Sequence, residues 1–451
     1  MSLPTPRTPS GEGASLRGHR AFTGYLAGES AGLAGSSVHL VALPVLAVLE
    51  LDASAGQVTL LASLSHLPTF LLALPTGAVV DRQHKRALMV GTDLAAAAIV
   101  AVIPVATLTG RLSMPVLCVV ALLLGAVTVV HQAAAIAIVP QLVAPALLHQ
   151  ANSRVGAAFG AADTAGTYLG TAVVALVGAA RAFWLDSLSY LVSAWCASRI
   201  PNPGGPAAGG MRRRRRIAGE IGEGLAYTAR TPLVRDLVLA LTVTGFATGL
   251  TGALFAFHLL TAVDAGPVGL GVVMGASGVG ALVGALLAPR IVARFGPGRT
   301  LVAGFATCAV TDVPLLLARP GAGWLAVLAL AGACQLAAAA VAGTTQRSLR
   351  QQICPPELQS RAQQTSTWLV SGSKPFAALT GGGLATAYGV RVALLAGALL
   401  LLVPVAVLWR SPVRRMAAMP VAAPAVGDLG GVGGVVGGNR SPADRPGKPG
   451  P

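Results

Sequence analysis

The chain has 451 residues, of which 54% are hydrophobic, 11% charged and 4% aromatic, with a formal charge of +16 and a mean hydropathy of +0.71. A soluble domain carries roughly 25% charged residues, so this composition excludes an ordinary water-soluble fold and puts most of the chain in lipid. The positive charge does not call for a nucleic-acid partner, because the basic residues fall in separate connections rather than in one patch.

In chain order, a polar tail over 1–19 is followed by about twelve apolar stretches: 20–49, 56–80, 87–109, 113–139, 153–179, 182–200, 233–263, 267–292, 299–318, 322–346, 363–387 and 390–410. They run roughly 19 to 31 residues, enough at about 1.5 Å per residue to cross about 30 Å of hydrocarbon. In lipid only helices and closed barrels satisfy every backbone polar group, and continuous apolarity points to helices. The predicted class is an all-α membrane protein with twelve transmembrane helices. The first residues carry no short apolar core and no small-residue cleavage site, so the first span itself is expected to direct insertion.

The connections separate the charges. The N-terminal tail holds Arg7, Arg17 and Arg20, and the second connection holds Arg82, Lys85 and Arg86. The fourth holds Arg154, and the sixth holds Arg199, the run Arg212 to Arg216, Arg230 and Arg235. The eighth holds Arg290, Arg294 and Arg299, and the tenth holds Arg347, Arg350 and Arg361. The C-terminal tail adds Arg410, Arg414, Arg415, Arg440, Arg445 and Lys448. The opposite set has only Arg111, Arg181, Arg319 and Arg391. This is the positive-inside pattern, which makes the basic side cytoplasmic and puts both termini there, in a multi-pass protein of the cytoplasmic membrane. The arginine run at Arg212 is expected to lie on lipid head groups.

Residues 201–232 read as a basic linker between two six-helix halves, 20–200 and 233–410. An internal echo supports the division: Val143-Ala144-Pro145-Ala146-Leu147-Leu148 and Ile353-Cys354-Pro355-Pro356-Glu357-Leu358 stand at matching places in the two halves, each before a Gly-rich helix. Glycines four apart recur at Gly24/Gly28/Gly32, Gly156/Gly160, Gly166/Gly170, Gly245/Gly249, Gly271/Gly275 and Gly280/Gly284, where close backbone approach substitutes for the missing hydrophobic drive between helices. Cys118, Cys196, Cys308 and Cys334 lie in spans and Cys354 in a connection, with no spacing that implies zinc or a disulfide framework. Residues 411–451 are rich in Gly and Pro and are expected to be disordered, with no chemistry of their own.

Between the second and third stretches stands Gly77-Ala78-Val79-Val80-Asp81-Arg82-Gln83-His84-Lys85-Arg86, with Asp93 one to two turns into the third. Glu223 to Arg235, Leu349 to Leu358 and Phe183 to Tyr190 are further distinctive runs. Together these resemble the major facilitator superfamily, in the branch of the enterobactin exporter and the actinobacterial drug-efflux proteins. The resemblance covers roughly residues 20–410 and implies export of a small molecule driven by protons. It implies a conformational latch at Gly77, Asp81, Arg82, Lys85, Arg86 and Asp93, an ion-pair cluster that holds one state and opens in the other. Drug/proton antiporters carry Gly-Pro-x-x-Gly-Gly in the fifth helix, whereas Gly166-Thr167-Tyr168-Leu169-Gly170-Thr171 lacks the Pro and the last Gly.

An ionisable residue inside a span is a functional candidate, since each costs about 2.5–3.5 kcal/mol at the helix centre on insertion scales. Glu29 is the first choice for a proton site and Asp163 the second. Lys374, beside Pro375, is a charge partner for either or for an anionic substrate. His39 joins them as a coupling candidate; His66, His131 and His258 read more simply as packing histidines, and Asp186 and Asp312 rank lower, Asp186 as a helix cap.

No Gly-x-x-x-x-Gly-Lys-Ser/Thr loop, Gly-x-Ser-x-Gly elbow or His-Glu-x-x-His occurs, so neither an ATP motor nor a hydrolase is encoded, and no cofactor or metal is expected. The expectation is a secondary transporter, monomeric, exporting a small molecule by proton antiport and alternating access. The alternatives are an importer, facilitator or lipid flippase of the same fold, or a transport-silent membrane sensor or scaffold.

Overall fold

The structure is a computed structural model that describes residue 16 and residues 19–144, 147–201, 222 and 225–418. Most of the predicted linker and of the two tails lies outside the described residues, as do the side chains of Asp81, Arg82 and Asp163 within their helices. No strand occurs among the described residues. The helices are α1 (Arg20–Val45, continued by a π-helical turn, Leu46–Glu50), α2 (Ala55–Arg82), α3 (Lys85–Leu108), α4 (Met114–Leu142), α5 (Leu148–Val177) and α6 (Ala179–Ser198). After the linker come α7 (Pro232–Thr261), α8 (Gly266–Phe295), α9 (Pro297–Thr311), α10 (Val313–Leu317), α11 (Ala322–Ile353), α12 (Pro356–Tyr388), α13 (Val390–Leu400) and α14 (Leu402–Arg410). Each predicted stretch falls on helical backbone, with the ninth and twelfth broken in two. Among the described residues, nine helical segments are long and apolar enough to cross a membrane.

Local chemistry sets the helix ends. Ser54 and Gln57 form a capping box at the start of α2, with Ser54 N–H donating to Gln57 Oε1 at 2.9 Å. Gly178 (φ +87°) ends α5 and caps α6, and Gly389 (φ +91°) does the same between α12 and α13. These two one-residue hinges stand at matching places, after α5 and after α12. The outer surface is apolar: Leu176 is 85% exposed and Leu108 78%, which suits lipid and not water.

Glycine decides how close the helices come. A Cβ on Gly28 would lie 2.8 Å from Cys196 Cβ on α6, and one on Gly170 of α5 would lie 2.8 Å from Val38 Cα. The small face of α1 is thus wedged between α5 and α6. Gly24 and Gly156, members of the same sequence pattern, face open space.

The buried apolar residues separate into clusters that reveal the shape. One cluster joins both halves: Val41, Leu46, Leu61, Ile103, Leu117 and Phe183 pack in one core with Leu254, Leu259, Leu270, Leu328 and Leu394. Every one of these lies toward the end of the bundle away from the basic connections. At the basic end the clusters are separate, one around Phe22, Tyr25, Met89 and Ile138, another around Leu237, Leu301, Phe305 and Leu349. Between α2 and α12, Gly56 meets Thr386 and Gly382 meets Thr59 near the non-basic end, while Phe70 stacks on Trp368 at 5.6 Å near the middle. Among the described residues, the halves are therefore joined at the non-basic end and share no buried apolar core at the basic end.

Candidate functional site

Three helices of the first half bring two carboxylates and an imidazole together. Glu29 on α1 is 7% exposed and Asp93 on α3 is 2% exposed. His131 on α4 lies between them, its Nε2 3.0 Å from Glu29 Oε1 and its Nδ1 3.2 Å from Asp93 Oδ1. Thr92 Oγ1 is 3.1 Å from the same Nδ1. The Tyr25 hydroxyl, one turn before Glu29, donates to the Ala135 carbonyl at 3.1 Å and ties α1 to α4. Counted at about 1.5 Å per residue from the basic ends of their helices, the three groups lie roughly 12 to 17 Å inside.

The chemistry follows from the hydrogen bonds. With both carboxylates ionised, the imidazole must carry two N–H groups to serve both, and the group has a formal charge of −1. A neutral imidazole serves both only if one carboxyl is protonated and donates, which leaves the same charge. A further proton brings the triad to zero. The site can therefore take up or give back one proton while every polar atom facing the imidazole keeps a partner, in an interior where an isolated charge is expensive.

A second acid–imidazole pair lies further along α1. His39 Nδ1 is 3.6 Å from Asp186 Oδ2, and Asp186 is fully buried on α6. Phe183 meets the His39 ring edge-on at 5.4 Å. Between the two pairs, the Ser36 and Tyr190 hydroxyls are 3.0 Å apart. Asp186, Ser189, Tyr190 and Ser193 share one face of α6, at helical spacing, against the small residues of α1.

The expected residues divide as follows. Glu29 and Asp93 meet in the triad, Asp93 two turns inside the bundle rather than at its edge. Lys85 is buried at the start of α3 and donates to the Gln83 carbonyl at 3.2 Å. Arg86 donates to the Ser198 carbonyl, placing a cation on the last turn of α6. Gly77, Asp81 and Arg82 lie on the last turns of α2. Asp163 lies midway along α5. No ion pair joins Lys374 to Glu29 among the described residues. In the second half, Gln335 donates to Asp312 Oδ1 at 2.5 Å, and His258 is buried with Nε2 3.1 Å from the Leu315 carbonyl, a satisfied packing histidine. His131 is the residue that sequence reasoning set aside. Depth would have picked it out: counted from the basic ends of their helices, Glu29, Asp93 and His131 stand at nearly one level.

Comparison with known proteins agrees with this architecture. Residues 16–426 match the transmembrane secretion effector family. The chain is 29% identical over 294 residues to the multidrug efflux pump Tap of Mycobacterium tuberculosis, covering 63% of this chain and 70% of the pump. It is 28% identical to Tap of Mycolicibacterium fortuitum, over 56% of this chain and 63% of that protein. Among solved structures, a point mutant of the nucleoside transporter NupG superposes with a TM-score of 0.72 at 11% identity, covering 87% of this chain and 99% of NupG. A bacterial homologue of the iron transporter ferroportin superposes with a TM-score of 0.68 at 15% identity, over 88% of this chain and 99% of the homologue. Those two likenesses concern the fold alone. The chain belongs to the transmembrane secretion effector family, a drug-efflux branch of the major facilitator superfamily.

Proposed function

We propose that this protein exports a small molecule across the cytoplasmic membrane by proton antiport, with its basic end and both termini in the cytoplasm. The observation that carries the reading is the buried Glu29–His131–Asp93 triad, which exchanges one proton without losing hydrogen-bond partners. The likeness to Tap multidrug efflux pumps supports a small-molecule cargo and the outward direction. The conformation described, joined at the non-basic end, is the one that loads from the cytoplasm. Residues 20–200 and 233–410 then rock about the midplane, as in alternating access. One proton moving down 100 mV supplies about 2.3 kcal/mol, so one or two per cycle sustain a gradient of an uncharged cargo of up to roughly fiftyfold or two-thousandfold. Lys85, Arg86 and the Asp81–Arg82 turn hold the basic end in the alternate, closed state. A single chain suffices for the cycle.

The test is efflux of a panel of drug-like dyes from vesicles with an imposed pH gradient. Glu29→Gln and His131→Gln are expected to abolish gradient-driven efflux while membrane expression and downhill flux persist. Gradient-driven efflux at the wild-type rate in both variants would overturn proton coupling at the triad.

A further inference from the structure

Lys374 lies midway along α12, in the middle of the bundle. A cation at that depth is costly unless something compensates it. Among the described residues no carboxylate forms an ion pair with it. Among the described residues, His66 on α2 stands within electrostatic reach of Lys374, and it supplies no negative charge. The stem of Lys374 runs along bare backbone of the neighbouring helix: a Cβ on Gly249 of α7 would lie 3.5 Å from Lys374 Cα and 3.6 Å from its Cγ. The side chain is half-buried, at the junction where α2 of one half meets α7 and α12 of the other.

The same junction carries an aromatic group. Phe70, one turn after His66 on α2, stacks on Trp368 at 5.6 Å with the planes 18° apart. It meets Phe376 edge-on at 5.2 Å. A Cβ on Gly372 would come 2.8 Å from the Phe70 ring, so Gly372 leaves room for that ring against α12. The Trp368 indole Nε1 is buried and has no hydrogen-bond partner. A chain with few aromatic residues has thus gathered three of them near an ammonium that no described carboxylate pairs with and beside an N–H donor unpartnered among the described residues. Lys374 and Trp368 offer an ammonium and an indole N–H on the same stretch of α12 as these rings, a set complementary to an aromatic acid, and a cationic amphipath would meet repulsion there.

We propose that Lys374, with Trp368 and Phe70, forms the cargo subsite, and that the cargo is an organic anion: a planar, largely apolar molecule bearing one carboxylate, sulfonate or ionised phenol. This rests on the export reading above and adds the charge class of the substrate. Seated there, the anion bridges α2 and α12 and supplies a countercharge that no described carboxylate supplies.

The test is direct binding to the full chain in nanodiscs by calorimetry, with two probes of one size and opposite charge, 1-naphthoate and 1-naphthylmethylammonium. Wild type is expected to favour naphthoate by roughly ten- to hundredfold, the range for a hydrogen bond to a charged group. Lys374→Gln should lose that preference, and Lys374→Arg should keep most of it. Phe70→Ala should weaken both probes alike and leave the preference intact. Lys374→Met is expected to fold and to melt no lower than wild type, since it removes a buried charge, and it should behave as Lys374→Gln does. Equal binding of the two probes by wild type, or an undiminished preference in Lys374→Gln, would overturn the assignment. Glu29→Gln separates the two proposals: its binding preference should match wild type whatever it does to coupling.

Discussion

The close approach of α8 and α11 gives a stability prediction that needs no substrate. A Cβ on Gly280 would lie 2.6 Å from Ala333 Cα, and one on Gly284 would lie 2.6 Å from Ala337 Cα. Carbon atoms in ordinary contact stand about 3.5 Å apart, and the Ala333 and Ala337 carbonyl oxygens stand nearer still, so an added methyl must push the helices apart by roughly 1 Å or more. The obstacle is backbone, and no rotamer change relieves it. A gap of about that size forfeits a quarter to a half of each dispersion contact along the interface. Overpacking of this kind costs about 1–3 kcal/mol, and the backbone obstacle puts Gly280→Ala toward the upper end. Gly284→Ala should cost about as much. The double variant should cost well under the sum, because one displacement relieves both clashes. Gly252→Ala and Gly323→Ala, where a Cβ meets nothing within 4 Å, are the controls and should be neutral or stabilising by up to about 1 kcal/mol. The assay is thermal unfolding of the purified protein in detergent, following monodispersity by fluorescence-detected gel filtration. Wild-type melting of Gly280→Ala beside a destabilised Gly252→Ala would refute the packing argument.

Three further outcomes are expected. On a background with the five native cysteines replaced, Thr59→Cys with Gly382→Cys should cross-link once α2 and α12 part by roughly 0.5–1 Å, because a Cβ on Gly382 would lie 3.0 Å from Thr59 Cβ, just inside the spacing a disulfide spans. The cross-linked protein should stop transporting and recover on reduction; transport at full rate with the bond formed would mean that the non-basic end does not open. Arg86→Gln removes the cation from the end of α6 and should cost about 1.5 kcal/mol, read as a lowered melting point that Arg86→Lys partly restores. Burial pushes the Cys354 thiol above its ordinary range, so the thiolate is scarce at neutral pH. Maleimide labelling of Cys354 should therefore be slow at pH 7 and climb steeply toward pH 9; fast labelling of Cys354 at pH 7 would contradict the burial.

The solvent and the order of the helices were legible in the chain alone. Run length and apolarity are local properties, and 1.5 Å of rise per residue converts them directly into spans. Connections at Ser54, Gly178, Gly296 and Gly389 fall within a few residues of the sequence reading, because these residues mark helix ends by chemistry that acts over three or four positions, whereas between α11 and α12 the polar residues 347–353 and 356–362, read as connection, continue the helices. The identity of Glu29 as a candidate was local too, since a lone acid in an apolar stretch stands out without any partner. What the chain could not disclose is who meets it. His131 is 102 residues from Glu29, and its ring reads as packing until α1, α3 and α4 are set side by side. The glycine pattern fails for the same reason: Gly24 and Gly170 carry the same signature, yet one faces open space and the other a backbone. Nor does any sequence interval say that, among the described residues, the apolar clusters merge at one end of the bundle and are separate at the other. Insertion into lipid depends on each segment's own transfer free energy. Pairing, depth-matching and the choice of which end opens depend on contacts between segments that are adjacent only once the bundle is assembled.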